Sequence, residues 1–396
     1  MSRALVLLLA VACGVIVANT YYAQPLLPTI AADFQLPEGL AGLSTTVPQF
    51  GYAAGLVLLV PLGDLLANRA LITVLLGINV LALAATALAT GPGPLWAALA
   101  VVGMTGSTIS VLISLAAALA GQHQRGRVVG ALMTGLLLGV LLARTVSGAL
   151  AQLAGWRSVY ACAAVAVAGL AVALRLCLPN PPASPGTSYA RLLTSTVGLV
   201  RTEPFLRRRM VSGALCFAAF HLFWTALPFL LSAPPHAYPT AVIGLFGLAG
   251  AAGALAAQPI GRLQDRGLAR PATAALLLAT GLAWALTGAG GHLLVALLAG
   301  ILLLDVGVQG VHVLNQAAIY GYPASVRSRV TTAYMSAYFC GGTAGSGLAV
   351  PLYDRAGWLG VCAAGALLAV CAAALWLTDR VPGPTAVPTH HHTTTH

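Results

Sequence analysis

The residues of this chain best suited to chemistry lie in one oily stretch, 293–320. Asp305, Gln309, His312 and Gln316 stand there 4, 3 and 4 residues apart, mostly among Leu, Val, Ile, Ala and Gly. That spacing puts all four on one stripe of a helix. Asp305 is the one acid deep in an apolar segment. Asp33, Glu38, Asp64, Glu203, Asp265, Asp354 and Asp379 fall in loops or at segment ends. Holding a carboxylate at mid-membrane costs about 2.5–3.5 kcal/mol on insertion scales. The stripe is therefore expected to face protein or a wetted path, not lipid. A carboxylate in such a place is neutral when dry and charged when wetted, so Asp305 can couple proton movement to a change of shape. A fixed salt bridge or a packing hydrogen bond is the plainer alternative. His312 can relay the proton or bind substrate, or simply be hydrogen-bonded. Gln309 and Gln316 can bind substrate or tie neighbouring helices, as can Asn315, which lies slightly off the stripe.

Arg144 is the second candidate. It sits about 24 Å along its helix from Val128 at 1.5 Å per residue, in the outer half of a bilayer. It can hold an anionic substrate, pair with Asp305, or snorkel to the interface. Three further segments offer groups for a cavity. The first carries Asn19, Tyr21, Tyr22 and Gln24, with Pro25 able to break the helix. The seventh carries His221, Trp224 and Pro228. The eleventh carries Tyr334 and Tyr338, one turn apart. Such side chains suit a partly apolar organic solute, and equally suit interfacial belts or packing. Gly135 and Gly139, like Gly341 and Gly345, stand four apart and read as close helix contacts.

The elements that position these groups follow from composition. The chain is 59% hydrophobic and 7% charged, where soluble domains carry about 25% charged residues. It is therefore a membrane protein. Twelve spans are expected, near 4–26, 44–66, 70–90, 95–120, 128–152, 157–178, 208–232, 240–262, 271–289, 293–320, 328–352 and 357–378. The first reads as a retained helix, not a cleaved signal peptide. All 19 basic side chains are arginine. With the N-terminus inside, sixteen of them, from Arg3 to Arg380, fall on the cytoplasmic side. Arg157 and Arg355 fall outside, and Arg144 lies within a span. This bias predicts cytoplasmic termini. It assigns the net charge of +11 to topology and anionic lipid, not to nucleic acid.

The halves repeat. Arg125-Gly126-Arg127-Val128, with Ala131, Met133 and Gly139 and ending at Ala154-Gly155-Trp156, recurs 202 residues later. The copy is Arg327-Ser328-Arg329-Val330, with Ala333, Met335 and Gly341 and ending at Ala356-Gly357-Trp358. Pro61-Leu62-Gly63-Asp64-Leu65 has a weaker echo in Pro259-Ile260-Gly261-Arg262-Leu263. The expected fold is an all-α membrane protein of twelve transmembrane helices in two pseudo-symmetric six-helix bundles. The expected divisions are a bundle at 1–178, a cytoplasmic linker at 179–207, a bundle at 208–380 and a disordered tail at 381–396. A duplication of this kind places a site near the midplane between the halves.

The run Asn19-Thr20-Tyr21-Tyr22-Ala23-Gln24-Pro25-Leu26-Leu27-Pro28 resembles the first helix of bacterial major facilitator superfamily transporters of the drug:proton antiporter branch. Gly261-Arg262-Leu263-Gln264-Asp265-Arg266-Gly267 resembles that superfamily's cytoplasmic loop motif, G-x-L-x-D-R-x-G-R. The first-half loop, Gly63 to Arg69, departs from it: Ala67 takes the central acid position, Asn68 follows, and Asp64 stands beside the glycine. In the fifth helix Gly135, Gly139 and Gly148 fit the antiporter signature, while Ala143-Arg144 stand where Gly-Pro is usual. The resemblance implies export of a small organic molecule by proton antiport, with Gly63, Asp64, Arg69, Gly261, Asp265 and Arg266 acting in the conformational loops. A proton-coupled importer and a non-transporting sensor or scaffold are the alternatives.

No P-loop, GxSxG or HExxH is present, so neither an enzyme nor direct ATP drive is expected, and no cofactor or metal. The seven cysteines make no CxxC pair and read as small hydrophobes. His390, His391, His392 and His396 read as part of a tail. The chain is expected to act as a monomer in the cytoplasmic membrane.

Overall fold

A computed structural model describes residues 1–66, 68–120, 124–179, 189–256, 258–291 and 293–379. The His-rich tail and Arg380 lie outside the described residues, as do the side chains of Asp64 and Asp265. The chain is helical: α1 Arg3–Ala18, α2 Ala23–Asp33, α3 Leu43–Leu58, α4 Asn68–Ala87, α5 Pro92–Gly106, α6 Thr108–Leu119, α7 Arg125–Ala154, α8 Trp156–Cys177, α9 Tyr189–Thr202, α10 Pro204–Ser232, α11 Thr240–Ala256, α12 Ala269–Ala289, α13 Leu294–Ile319 and α14 Ala324–Leu377. Short turns of helix join several of these.

Among the described residues nine helical segments are long and apolar enough to cross a membrane. This is fewer than the twelve expected, for two reasons. Leu43–Leu58 and Thr240–Ala256 have only 16 and 17 residues, so they reach about 24–26 Å of a hydrocarbon core near 30 Å. The third shortfall is one of bookkeeping: 52 residues, Val326–Leu377, run on as a single segment. Gly357 folds that segment in two, because its φ of 62° and ψ of −166° are not helical. Only glycine takes such a φ without strain.

Gly155, the repeat partner of Gly357, has φ 80° and divides α7 from α8 in the same way. The tryptophan after each glycine is buried and donates its indole N–H, Trp156 to Asp33 Oδ2 at 3.2 Å and Trp358 to the Thr287 carbonyl at 2.7 Å. The repeated sequence thus builds the same corner twice. Outward of the corners Leu81, Leu153, Leu278 and Val295 are exposed, as surfaces facing acyl chains should be.

Helices α1 to α8 pack largely on one another, and α10 to α14 do likewise. In each group the first long helix crosses the fifth through glycine. A methyl group on Gly135 or Gly139 would strike the α1 backbone at Ala10 or Gly14; one on Gly341 or Gly345 would strike α10 at Ala214 or Ala218. A buried polar knot adds to the first group: Asn19 Nδ2 donates to Asn79 Oδ1 at 3.1 Å, and Asn79 Nδ2 donates to Thr105 Oγ1 at 2.7 Å. The linker is not featureless. Its second part forms α9, and Tyr189 donates to the Leu58 carbonyl at 2.9 Å, strapping it to the end of α3.

The two groups meet face to face, and one end of their seam is sealed. Thr29 and Thr240 hydroxyls lie 3.3 Å apart, Thr45 and Thr225 hydroxyls 3.4 Å apart, and Thr145 Oγ1 donates to the Gly244 carbonyl at 3.2 Å. Gly148 lets α7 approach α11 there: an added methyl would sit 2.7 Å from the Thr240 carbonyl oxygen and 3.1 Å from Gly244 Cα. Leu27, Ala31, Ala41, Phe229 and Val350 form an apolar plug at the same end.

Candidate functional site

Below that seal lies a cavity of about 380 Å³, walled by both groups of helices. All four residues of the α13 stripe, Asp305, Gln309, His312 and Gln316, line it. They do so because α13 turns every 3.6 residues and presents this one face across the seam. Arg144, Thr134 and Gly130 line it from α7. The lining thus extends about 21 Å down α7 and about 16 Å down α13, toward the arginine-rich end of the bundle.

Its deep end holds one basic and one acidic side chain, Arg144 and Asp305. Arg144 is buried, with Nε donating to Gln24 Oε1 at 2.6 Å. Its guanidinium lies over the Trp224 ring at 4.0 Å, with Tyr21 at 5.2 Å and Phe220 at 5.6 Å. Snorkelling is therefore not its arrangement. Gln24 reaches it where the regular α-helix gives way to tighter turns between Ala18 and Ala23. The ring of Pro25 opposes a carbonyl four residues back, so the break sits where the sequence places it. Among the described residues Arg144 Nη2 and Asp305 Oδ2 are buried outside full hydrogen-bond geometry, and the Trp224 indole N–H stands beside the Asp305 carboxylate as its nearest donor. Asp305 rests where α11 has glycines: a methyl on Gly250 would come 3.2 Å from its Oδ2, and one on Gly253 would come 2.7 Å from its Cβ. The ion pairs within 4.0 Å among the described residues are Arg157–Asp33 and Arg209–Asp379. Arg144 and Asp305 share a chamber without closing on each other.

His312 is fixed on both sides. Gln316 Nε2 stands 3.1 Å from its Nε2, and Tyr334 Oη 3.0 Å from its Nδ1. An amide nitrogen can only donate, so Nε2 accepts and Nδ1 carries the hydrogen. Its ring packs at 4.3 Å on Tyr338, which also lines the cavity.

The remaining candidates scatter. Tyr334 stands behind His312. Trp224 stands behind Arg144. His221 is fully buried between Tyr21 and Phe217, and neither ring nitrogen has a hydrogen-bond partner among the described residues. Asn19 belongs to the Asn79 knot. Tyr22 turns toward a separate apolar groove between α1 and α7, and its ring meets the edge of Tyr160. Asn315 serves the arginine-rich end, accepting from Arg209 at 3.4 Å and donating to Ser212 at 3.4 Å. Of the loop residues, Gly63 and Gly261 lie in short helical turns, Arg69 reaches the Leu178 carbonyl at 3.5 Å, and Arg266 is exposed. Tyr52, Phe217, Phe220, Phe339 and Met133 also line the cavity, although sequence reasoning did not single them out. Phe217, Phe220 and Trp224 are spaced 3 and 4 apart, a helical face legible in retrospect.

The family model of the Major Facilitator Superfamily matches residues 9–321. The chain belongs to the Major Facilitator Superfamily. It is 44% identical over 376 residues to the putative uncharacterized transporter YgaY of Escherichia coli, covering 95% of both chains. A probable transporter of Streptomyces coelicolor is 37% identical over 365 residues, 91% of this chain and 84% of that one. Among solved structures, the nucleoside transporter NupG superposes with a TM-score of 0.74 at 15% identity, covering 94% and 98% of the two chains. A bacterial homolog of the human lysosomal transporter Spinster, in an inward-facing and unoccupied conformation, gives 0.73 at 14%, covering 95% and 97%. At those identities the likeness speaks for the fold alone. This facilitator is accordingly a multi-pass membrane protein and a secondary transporter of a small molecule. That assignment points to carriage of a solute, not to catalysis.

Proposed function

We propose that this facilitator exports a small organic solute across the bacterial cytoplasmic membrane in exchange for protons, as in the drug:proton antiporter branch its first helix resembles. Twelve crossings form bundles at 1–178 and 208–380, joined by the linker at 179–207, with both termini cytoplasmic. The molecule works as a monomer. The bundles rock about the cavity, and the sealed seam and the arginine-rich opening exchange roles. The observation that carries this reading is Asp305: a buried carboxylate lining the deep end of a chamber between two bundles. Such a group gains or loses a proton as the chamber dries or wets. Arg144, Gln309, Gln316 and Tyr338 contact the solute. Gln24 and Trp224 hold Arg144, and His312, tied to Tyr334 and Gln316, shapes the wall. The loop residues Gly63, Asp64, Arg69, Gly261, Asp265 and Arg266 steady the cytoplasmic ends of the helices.

The test is proton release from detergent-purified protein on adding candidate solutes, with Asp305→Asn beside the wild type. Wild type should release a proton and the variant none. If both release alike for a compound that binds, Asp305 is not the proton site. Counterflow in oriented vesicles then fixes direction: net uptake in place of export would favour the importer.

A further inference from the structure

We infer that the solute is a zwitterion, carrying a carboxylate and an ammonium on one compact, partly aromatic or branched apolar body. This rests on the transport reading and names its substrate class. The cavity is lined by one basic and one acidic side chain, Arg144 and Asp305, 4% and 2% exposed; Arg144 Nη2 has no partner among the described residues, and Asp305 has only the Trp224 indole beside it. Two such charges left free would collapse into a pair, since unpaired buried ions cost several kcal/mol each. Here each is held in place. Gln24 takes the arginine's Nε and Trp224 supports its face. Asp305 is seated against the glycine surface of α11. Both side chains line one cavity without forming an ion pair within 4.0 Å. A solute with a single charge would satisfy one of them and leave the other buried and bare. A zwitterion satisfies both, its carboxylate on Arg144 Nη2 and its ammonium on Asp305 Oδ2.

The rest of the lining agrees. Phe220, Tyr21 and Tyr338 offer ring surface beside the charges, and Gln309 and Gln316 offer neutral hydrogen bonds below them. Among the described residues no other side chain lining this cavity carries a fixed charge; His312 has its nitrogens engaged by neutral partners. Titratable groups from every wall of the deep end are Tyr21, His221, Tyr338, His312 and Arg144. Within the proposed exchange, the solute's ammonium and the transported proton then compete for the same oxygen of Asp305.

The experiment measures thermal stabilisation and affinity of the purified, detergent-solubilised full chain with three matched probe sets. The first holds the apolar and aromatic α-amino acids. The second holds their methyl esters, which keep only the cation. The third holds their N-acetyl forms, which keep only the anion. At least one zwitterion should bind about ten- to hundredfold tighter than its ester and its N-acetyl form, the range expected when one charged hydrogen bond is removed. In Arg144→Gln that preference over the ester should vanish; in Asp305→Asn the preference over the N-acetyl form should vanish. The wild-type comparison needs no variant, so misfolding of either leaves the test intact. A series in which no zwitterion exceeds its singly charged analogues overturns the inference. The two readings separate cleanly. A singly charged compound that releases protons keeps the transport mechanism and sinks the substrate class. A zwitterion that binds tightly without proton release does the reverse.

Discussion

Gly148 offers the sharpest test of the idea that the seam between α7 and α11 is one of two alternating gates. A methyl group there would lie 2.7 Å from the Thr240 carbonyl oxygen and 3.1 Å from Gly244 Cα. Ordinary contact for such a carbon begins at 3.4 Å, so even alanine forces a parting of about 0.7 Å. Valine adds two more carbons in the same place. Overpacking of a well-fitted contact costs about 1–3 kcal/mol. If the other conformation opens this seam, that state feels none of the cost. Gly148→Val should then move the equilibrium toward it by about five- to 150-fold. Thr29, whose hydroxyl meets Thr240 within the seal, supplies the reporter. Thr29→Cys in inverted and right-side-out vesicles is exposed to a membrane-impermeant maleimide, with the native cysteine background as control. Labelling from the sealed side should speed up in step with the population shift. A folded, monodisperse Gly148→Val protein that labels at the wild-type rate would refute the gate.

Other outcomes follow from the same geometry. Gln24→Met removes the 2.6 Å bond to Arg144 Nε, a charged hydrogen bond worth about 1.5–3 kcal/mol; thermal stability should fall by about that amount, and solute affinity, read by calorimetry, should fall at least tenfold as the guanidinium loses its position. Trp224→Leu removes the ring under the guanidinium; a desolvated cation–π contact of about 2 kcal/mol predicts a loss near thirtyfold in the same assay, while Trp224→Phe should recover part of it. Asn79→Leu breaks the knot with Asn19 and Thr105 and leaves buried groups bare; it should lower thermal stability by about 1–3 kcal/mol and leave solute affinity unchanged. Gly155→Ala and Gly357→Ala place a side chain at φ 80°, ψ 160° and φ 62°, ψ −166°; each should cost about 1–3 kcal/mol of stability, measured by thermal unfolding in detergent.

Much of this arrangement was readable from residue spacing. The 4, 3 and 4 intervals of Asp305, Gln309, His312 and Gln316 named a face, and that face lines one cavity. The paired Gly-Trp corners were visible as a repeat. What spacing cannot give is which of two buried faces a residue joins. Asn19 and Gln24 lie five apart around a broken helix, and one enters the Asn79 knot while the other enters the arginine site. Their partners had to come from three dimensions. A count by helix length differs from the twelve expected spans only where helices are short or run together: α3 and α11 are a turn short of a bilayer, and α14 hides its corner behind a single glycine. The walls formed by Tyr52 and Phe339, whose rings stack at 4.0 Å, join helices almost three hundred residues apart, and sequence alone carries no trace of that pairing.

Arg144 and Asp305 belong to opposite bundles, α7 in the first and α13 in the second. A bound molecule that touches both is therefore a strut of fixed length between moving parts. Any tilt of one bundle against the other stretches or slackens that strut, so its grip must differ between the two ends of the stroke. Unequal grip is what a carrier needs in order to load on one face and let go on the other, and here it would arise from placing one pole of the site on each rocker.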